Sequence, residues 1–495
     1  MNNLTNYYIK TNRIFHPVRK YSWMITIIIA IGGLWFPKLG LAVLFIMSSL
    51  LTTAFFKGRY WCGNICPHGS LFDLIIQPIS RNKRIPNLLK TKPFITLFFL
   101  FFVVNLTRRV IKVTAAWGTY QFLDKLGLIF VMTYLVVMVV GGFLALAANP
   151  RTWCQFCPMG TLQRGTHLLV KTTGVAKITE KKLTISSKEK CHKCGKCARV
   201  CPFQLMPYLE FSENNQFSNR NCIKCSTCVA NCPAGILSLE TERCAIKLKE
   251  DTIIEGYKNR QTIKSTITGI NDLAEDVKEY IFTFHSPEKV NYQAGQFILV
   301  KIQDTPEAYR AYSISSYPES SEQLSIIIKK VPKGYGTAKI YENFQIGAEI
   351  QLEGPIGNEL VLNPADEKVL FVANGIGITP FIALAKDALT NLPNLKELKL
   401  LAGQRFEKEL LYHDYFKHLA SQDQRFEYIP VVSRDKESNI RKGYVVDPMK
   451  ELDLKGYKVY LCGSKNMVTD SYNILLENGV CKEDINYESE EKIKL

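Results

Sequence analysis

Most of the cysteines in this chain, twelve of fifteen, fall into four short motifs that each contain or end in Cys-Pro. Residues 191–202 read CHKCGKCARVCP and residues 222–233 read CIKCSTCVANCP, both with the spacing C-x2-C-x2-C-x3-C-P. Three closely spaced thiolates fit three corners of a [4Fe-4S] cube, and the fourth, turned away before proline, reaches a neighbouring cube. The spacing predicts one cluster on Cys191, Cys194, Cys197 and Cys232, and a second on Cys222, Cys225, Cys228 and Cys201. A pair of structural zinc sites is the alternative, but zinc does not favour this triple spacing with a terminal Cys-Pro. Cys244, Cys462 and Cys481 stay outside the motifs.

The other two motifs are a repeat. Residues 59–71 read RYWCGNICPHGSL and residues 151–162 read RTWCQFCPMGTL, so both give Arg-x-Trp-Cys, a short spacer, Cys-Pro-x-Gly and Ser/Thr-Leu. Self-similarity of this kind points to two equivalent structural units. Each follows an apolar run, which places Cys62, Cys66, Cys154 and Cys157 together at one membrane face. Four thiols at one place suit a further iron–sulfur centre. Redox thiols that form a disulfide during turnover, and simple packing of small hydrophobes, are the competing readings. The repeated Trp is expected to anchor each motif at the membrane interface. His68, beside Cys66, is a ligand or proton carrier in one reading and an interfacial histidine in the simpler one.

The elements that must position these thiols are apolar. Stretches at about 21–36, 39–56, 93–106 and 127–148 lack polar faces, and a spanning helix needs about 20 residues. Four such stretches exceed what one soluble core requires, so a four-helix transmembrane domain is expected. Lys10, Arg13, Arg19 and Lys20 precede the first stretch, and seven basic residues from Lys57 to Lys92 lie between the second and third. This bias puts both termini, both Cys-Pro motifs and the soluble domains on the cytoplasmic side of the inner membrane. The formal net charge of +17 reads as a basic skirt against anionic lipid rather than as a nucleic-acid surface. No cleavable signal peptide is expected, and a secreted disulfide framework is excluded by length and apolar content. None of the seven histidines lies inside an apolar stretch, which disfavours a transmembrane haem.

The rest of the chain divides into a polar, basic linker over 172–189, a cysteine-rich α+β module over 190–247, and two further domains. Short alternating segments such as TIKSTITGI, EYIFTFHS, FILVKI, LSIIIKKV and EIQLEG predict an antiparallel β-barrel over 255–365. Buried strands VLFVAN, LKLLAG, YIPVVS and KVYLCG, alternating with helical patterns, predict a parallel α/β sheet over 366–495.

Residues from about 260 to 490 resemble the ferredoxin–NADP reductase superfamily. AGQF at 294–297, RAYSI at 310–314, KGYGT at 333–337, VANGIGITPF at 372–381 and YLCGSKNMV at 460–468 carry the resemblance, in order. It implies that Arg310 pairs with the FAD pyrophosphate, Tyr312 packs on the flavin ring, and Ser313 lies near its N5. It further implies that Gly334, Gly336 and Thr337 form the phosphate loop, and that Gly375, Gly377, Thr379 and Pro380 face the dinucleotide. Arg405, Ser433 and Arg434 resemble ribose or 2′-phosphate contacts, and Cys462 and Gly463 the loop that meets the nicotinamide. Glu488 matches the family's acidic position, although no terminal aromatic follows it here. Arg310, placed in the barrel, is expected to touch no cluster ligand.

Residues from about 20 to 235 resemble the membrane polyferredoxins of NapH and NosR type, and copper-reducing assembly factors of similar plan. Nicotinamides give two electrons at once and iron–sulfur clusters take one, so a flavin is the required adapter. The domain order therefore predicts a membrane-bound oxidoreductase passing electrons from NAD(P)H through FAD and two [4Fe-4S] clusters to a quinone or a membrane partner. A metal reductase for cofactor assembly and a membrane-anchored reductase of a soluble acceptor protein are the alternatives.

Overall fold

The computed structural model describes residues 7–171 and 178–489. The first residues of the expected linker, 172–177, and the segment after 489 lie outside the described residues. The chain forms two compact units. One comprises residues 1–188 with 195–252, the other residues 189–194 with 253–495.

Among the described residues of the first unit, three helices are long and apolar enough to cross a membrane: Pro37–Lys57, Lys92–Thr114 and Phe122–Ala147. The first apolar stretch differs from expectation. It is helical in pieces, Pro17–Tyr21, Trp23–Ala30 and a 3-10 turn Gly32–Leu34, joined at Ser22 and Ile31. The joints keep right-handed backbone angles, so the chain bends without reversing. Gly32 and Gly33 are poor helix formers and loosen its last turn. The third stretch is a helix of 23 residues that carries Arg108 and Arg109 exposed near its end. Small residues let these helices approach. A Cβ on Gly40 would lie 2.0 Å from the carbonyl oxygen of Gly127, and one on Gly127 would lie 2.1 Å from that of Pro37. Large apolar side chains such as Phe45, Leu97, Phe101 and Phe143 stay exposed along the helices.

Strands β1 (Lys182–Ile185) and β2 (Leu237–Glu240) pair antiparallel and bracket the cysteine-rich segment. β1 falls inside the stretch expected to be a linker. Its alternation is short, but Leu183 and Ile185 are almost fully buried, and that burial wins over the surrounding charge.

The second unit holds two sheets. β3 (Gln261–Ala274), β4 (Val277–Ser286), β5 (Phe297–Asp304), β6 (Glu307–Ser313), β7 (Gln323–Lys329) and β8 (Glu349–Ile356) pair antiparallel in the order β6-β5-β8-β3-β4-β7. A bridge between Ile314 and Ile326 joins the two edges and closes a barrel around a core that includes Ile267, Phe282, Ile298 and Ile326. β9 (Lys368–Asn374), β10 (Glu397–Gln404), β11 (Phe426–Val432), β12 (Arg441–Lys442), β13 (Lys458–Gly463) and β14 (Ile485–Ser489) form a parallel sheet in the order β12-β11-β10-β9-β13-β14. The near-continuous apolar run VLFVA of β9 suits a central strand covered on both faces.

Candidate functional site

The twin motifs of the first unit meet, and the geometry explains why the repeat includes Arg and Gly as well as Cys. Arg59 Nη2 lies 3.9 Å from Cys62 Sγ in its own motif and 3.5 Å from the Cys154 carbonyl oxygen of the other. Arg151 Nη1 mirrors this, 3.5 Å from Cys154 Sγ and 3.3 Å from the Cys62 carbonyl oxygen. The glycines complete the exchange. A Cβ on Gly69 would lie 2.6 Å from Arg151 Nη1, and one on Gly160 would lie 3.0 Å from Arg59 Nη2. Each Cys-Pro-x-Gly therefore makes room for the arginine of its twin.

Both Cys-Pro junctions start helices, Pro67–Leu71 and Pro158–Lys171, with proline at the first position where its missing N–H is harmless. The amide of Gly69 donates to Cys66 Sγ at 3.4 Å, and the Gln163 amide to Cys62 Sγ at 3.4 Å. Burial, then the neighbouring Cys62 and Cys154, pushes the Cys66 thiol up to about 12. Burial, then Cys154, does the same to Cys157. Thiols so placed ionise only when a cation takes their charge, which is what a metal centre does. Among the described residues no group of three or more His, Cys, Asp or Glu is arranged to hold a single metal ion. A cube makes a different demand, because each thiolate binds a separate iron corner.

The charge around the thiols is lopsided. Arg13, Arg19, Arg59 and Arg151 are all buried. One carboxylate, buried Asp73, answers them. It accepts from Arg13 at 3.3 Å, from Arg151 at 2.6 Å, and from Arg19. Among the described residues, four cations against one anion leave three buried positive charges, and Arg59 Nε and Nη1 have no hydrogen-bond partner. Uncompensated buried charge costs several kcal/mol per ion. An anionic group held by the four thiolates fits that surplus; a disulfide or four neutral thiols would not. Trp61 and Trp153 correct an expectation: both are buried, Trp153 against Phe98 and Phe156, so they pack the site rather than anchor it at the interface. His68 is half-buried, with its ring nitrogen 3.4 Å from the Tyr134 carbonyl oxygen. Burial lowers its pKa to about 4, which suits neither an interfacial histidine nor a charged one.

The cysteine-rich segment packs on this site through Gly63. A Cβ there would lie 2.0 Å from the Ile223 carbonyl oxygen and 3.2 Å from the Cys225 amide nitrogen, and Asn64 donates to the Lys224 carbonyl at 3.1 Å. Phe203, Ile223 and Cys225 form an apolar cluster that also contacts Cys62, Cys154 and Cys201. Cys201, Cys222, Cys225 and Cys228 come together: burial and then Cys225 raise both Cys201, to about 12, and Cys228. Cys197 of the first run is also among the neighbours that raise Cys228. Cys197 and Cys232 are buried in the same unit, whereas Cys191 and Cys194 belong to the segment 189–194 of the second unit. Both ligand loops turn through left-handed backbone, at Lys193 and Gly195 and again at Lys224 and Ser226. Such turns aim successive amides at one anionic point.

In the second unit, Arg310 on β6 lies against the phosphate-loop candidate. A Cβ on Gly336 would meet Arg310 Nε at 2.7 Å, so only glycine leaves this cradle open. Gly334 precedes the helix Tyr335–Asn343, and Thr337 Oγ1 accepts from the Val331 amide at 3.2 Å. These residues suit a pyrophosphate. One expectation fails here. Arg310 Nη1 donates to the Cys194 carbonyl at 3.0 Å, so Arg310 does touch a cluster-ligand residue. Around it, Arg260 donates to the carbonyls of Glu189 and Cys191, both at 2.7 Å, and pairs with Glu353, which also takes Lys193 at 2.7 Å. Sequence spacing gave no sign of Arg260 or Glu353, because their partner is a distant loop.

Tyr312 and Ser313 stand half-buried at the end of β6. Gly375, with φ of 60°, and Gly377 form a turn at the carboxyl end of β9, followed by the helix Thr379–Asn391 with Pro380 in its first turn. A Cβ on Gly377 would lie 2.2 Å from the Cys462 carbonyl oxygen, so the β9 and β13 loops close on one another. Gln404 donates to the Gly375 carbonyl at 3.1 Å, and Arg405, Ser433 and Arg434 follow the ends of β10 and β11. Arg405 is already paired with Glu409 at 2.8 Å. The carboxyl ends of parallel strands are where this architecture binds dinucleotides. Glu488 on β14 sits opposite Cys462 in register. Burial, then Glu359, raises its carboxyl to about 8, so it holds a proton at neutral pH.

Comparison with known proteins agrees with this partition. An oxidoreductase FAD-binding domain matches residues 264–359 and an oxidoreductase NAD-binding domain residues 371–472. A 4Fe-4S dicluster domain matches 190–237, and a 4Fe-4S binding domain matches 39–86 and 130–175, the two stretches that carry the twin motifs. The glycine betaine monooxygenase reductase subunit of Chromohalobacter salexigens is 27% identical over 212 residues, 41% of this chain and 57% of that subunit. The phenol hydroxylase P5 protein of Acinetobacter pittii is 25% identical over 276 residues, 52% of this chain and 77% of that protein. A ferredoxin NADP+ reductase from Neisseria gonorrhoeae, solved with FAD and NADP, aligns with a TM-score of 0.42 and 19% identity over 46% of this chain and 98% of that one. The chain therefore carries the domain set of an NAD(P)H-dependent FAD and iron–sulfur oxidoreductase, with FAD, [4Fe-4S] clusters and NAD(P)H as its cofactors.

Proposed function

We propose that this protein is a membrane-bound NAD(P)H dehydrogenase of polyferredoxin plan, which delivers electrons to a quinone or a membrane partner from the cytoplasmic side of the inner membrane. The observation that carries the membrane half is the reciprocal cage at the twin motifs: four thiols, two crossed arginines, and a surplus of buried positive charge that an anionic centre would offset. Cys62, Cys66, Cys154 and Cys157 hold a further iron–sulfur centre in this reading. Three apolar helices with lipid-like exposed faces support the membrane placement.

When bound, FAD splits the hydride pair of NAD(P)H into the single electrons that iron–sulfur centres accept. The residues of this chain do the rest. Arg310 and the amides near Gly334 and Gly336 hold the pyrophosphate, and the Gly375–Gly377 turn receives the dinucleotide. Cys462 and Gly463 border the nicotinamide position, and protonated Glu488 beside them supplies a proton donor near neutral pH. Arg310 and Arg260 fix the Cys191–Cys194 loop on the flavin barrel. Gly63 sets the closeness of the second ligand loop to the membrane thiols.

The names of the relatives favour a second reading, a membrane-anchored reductase serving a soluble oxygenase partner. Anaerobic reduction of the purified protein by NADH and by NADPH, in lipid and with added quinones, separates the two. Rapid quinol formation supports the first reading. Full reduction of flavin and clusters without quinol formation favours the second.

A further inference from the structure

The first unit has an open recess between the helix Pro158–Lys171, strand β1 and the loop 217–224. Its wall includes Cys222, a ligand of the second cluster, and Arg59, which reaches Cys62 Sγ of the membrane site. We infer that this recess is the quinone-reduction site, with Arg59 and Arg164 receiving the quinone oxygens and His167 delivering a proton. The inference rests on the quinone branch of the proposed function and adds the place and the residues.

Several observations converge on it. The recess touches side chains from both redox sites of this unit, so an acceptor lodged there needs no further carrier. Two polar groups on its wall have atoms in want of a partner: Arg59 Nε and Nη1, on a side chain that is 3% exposed, and His167 Nδ1. A carbonyl acceptor supplies what those donors lack. Arg164 is held in place through Asn221 at 2.9 Å and Thr161 at 3.0 Å. His167 has a fixed setting: its Nε2 lies 3.1 Å from Glu180, which also takes Lys224 at 2.7 Å. Gly58 makes that grouping possible, because with φ of 60° its missing Cβ would lie 3.0 Å from Lys224 Nζ and 3.1 Å from Glu180.

The wall is also strongly cationic, with Arg59, Arg164, Lys171, Lys182, Arg220 and Lys224 against the single carboxylate of Glu180. A cationic wall has a clear use for such an acceptor. Each electron adds negative charge to the quinone oxygens before protons arrive, and fixed positive groups stabilise charge that develops during reaction. The balance is simple. Two electrons, supplied by oxidation of NAD(P)H, and two protons, one through His167 and one from water, convert the quinone to the quinol. The same helix leads to lipid: Leu168 lines the recess and its neighbour Leu169 is 74% exposed.

The test uses the full chain in lipid nanodiscs. A photoreactive quinone analogue should label peptides containing Leu168 or Phe217. His167→Gln should lower quinone turnover about tenfold or more, and Leu168→Trp, which fills the recess, should raise the quinone KM. Iron content and NAD(P)H-driven ferricyanide reduction should stay at the wild-type level in both. Labelling elsewhere, or wild-type quinone kinetics in both variants, overturns the site while quinone reduction itself stands. A wild-type protein whose clusters are reduced by NAD(P)H but that makes no quinol overturns the quinone reading and this inference with it. Protection of the recess from labelling by inorganic phosphate alone, with quinone kinetics unchanged, identifies an anion site and also overturns it.

Discussion

Replacing Asp73 with asparagine probes the cation shell directly. Asp73 is buried and is the one carboxylate shared by Arg13, Arg19 and Arg151. Asparagine keeps the shape, but it removes the negative charge and turns an N–H group toward guanidinium donors. Breaking a buried ion pair from one side costs about 3–5 kcal/mol, a large share of the roughly 5–15 kcal/mol that holds a typical domain together. For a unit of this size that loss corresponds to an apparent Tm lower by roughly 10 °C. Asp124 provides the contrast. It lies 3.9 Å from Lys38 with both side chains partly exposed, so Asp124→Asn should cost no more than about 1 kcal/mol. The assay is thermal unfolding in detergent, followed by the loss of iron–sulfur absorbance, with NAD(P)H-driven ferricyanide reduction as a separate report on the flavin unit. Asp73→Asn should melt early and lose iron while ferricyanide reduction persists. Equal melting of the two variants would refute the organisation of the twin-motif thiols by buried charge.

Three further outcomes follow from the same structure. Arg310→Ala should lose FAD and also alter the paramagnetic resonance of the centre bound by Cys194, because one guanidinium serves both; an unchanged resonance would sink the double role. Gly63→Ala drives a Cβ toward a carbonyl oxygen 2.0 Å away and should cost about 1–3 kcal/mol while slowing cluster reoxidation by quinone, measured by stopped-flow absorbance. For Glu488 the folded carboxyl titrates near 8, above its unfolded value near 4.5. The stability it contributes is therefore complete below about pH 4.5 and is lost as pH rises toward 8. Glu488→Gln should remove that slope, making the flavin unit about 1–3 kcal/mol more stable than wild type at pH 8 in urea unfolding, and no more stable at pH 4.5.

The parts of this molecule that follow a short-range rule were legible in the sequence. The two C-x2-C-x2-C-x3-C-P runs mark a dicluster module, and a 4Fe-4S dicluster domain matches residues 190–237. Alternation in segments such as LSIIIKKV and EIQLEG marked barrel strands that the structure forms at β7 and β8. What sequence could not supply were relations between distant elements. The Arg and Gly of the twin motifs were visible as a repeat, yet their roles emerge only when the motifs face each other and Gly69 admits Arg151. The Trp of the same repeat was misread, since Trp61 and Trp153 are aromatic residues beside apolar helices but are covered by protein. Arg260 and Glu353 lie far from the Cys191–Cys194 loop that they hold, so no local pattern announced them. β1 was hidden among lysines because four residues give too little alternation to outweigh charge.

Metal content per flavin tests directly whether Cys62, Cys66, Cys154 and Cys157 hold a third iron–sulfur centre. Full-length protein, purified anaerobically in lipid or detergent, should contain about twelve irons and as many acid-labile sulfides per FAD, four for each cube. The Cys62→Ser, Cys154→Ser double variant should fall to about eight while the ferredoxin signals remain. About eight irons per FAD in the wild type, unchanged in the double variant, would contradict the account.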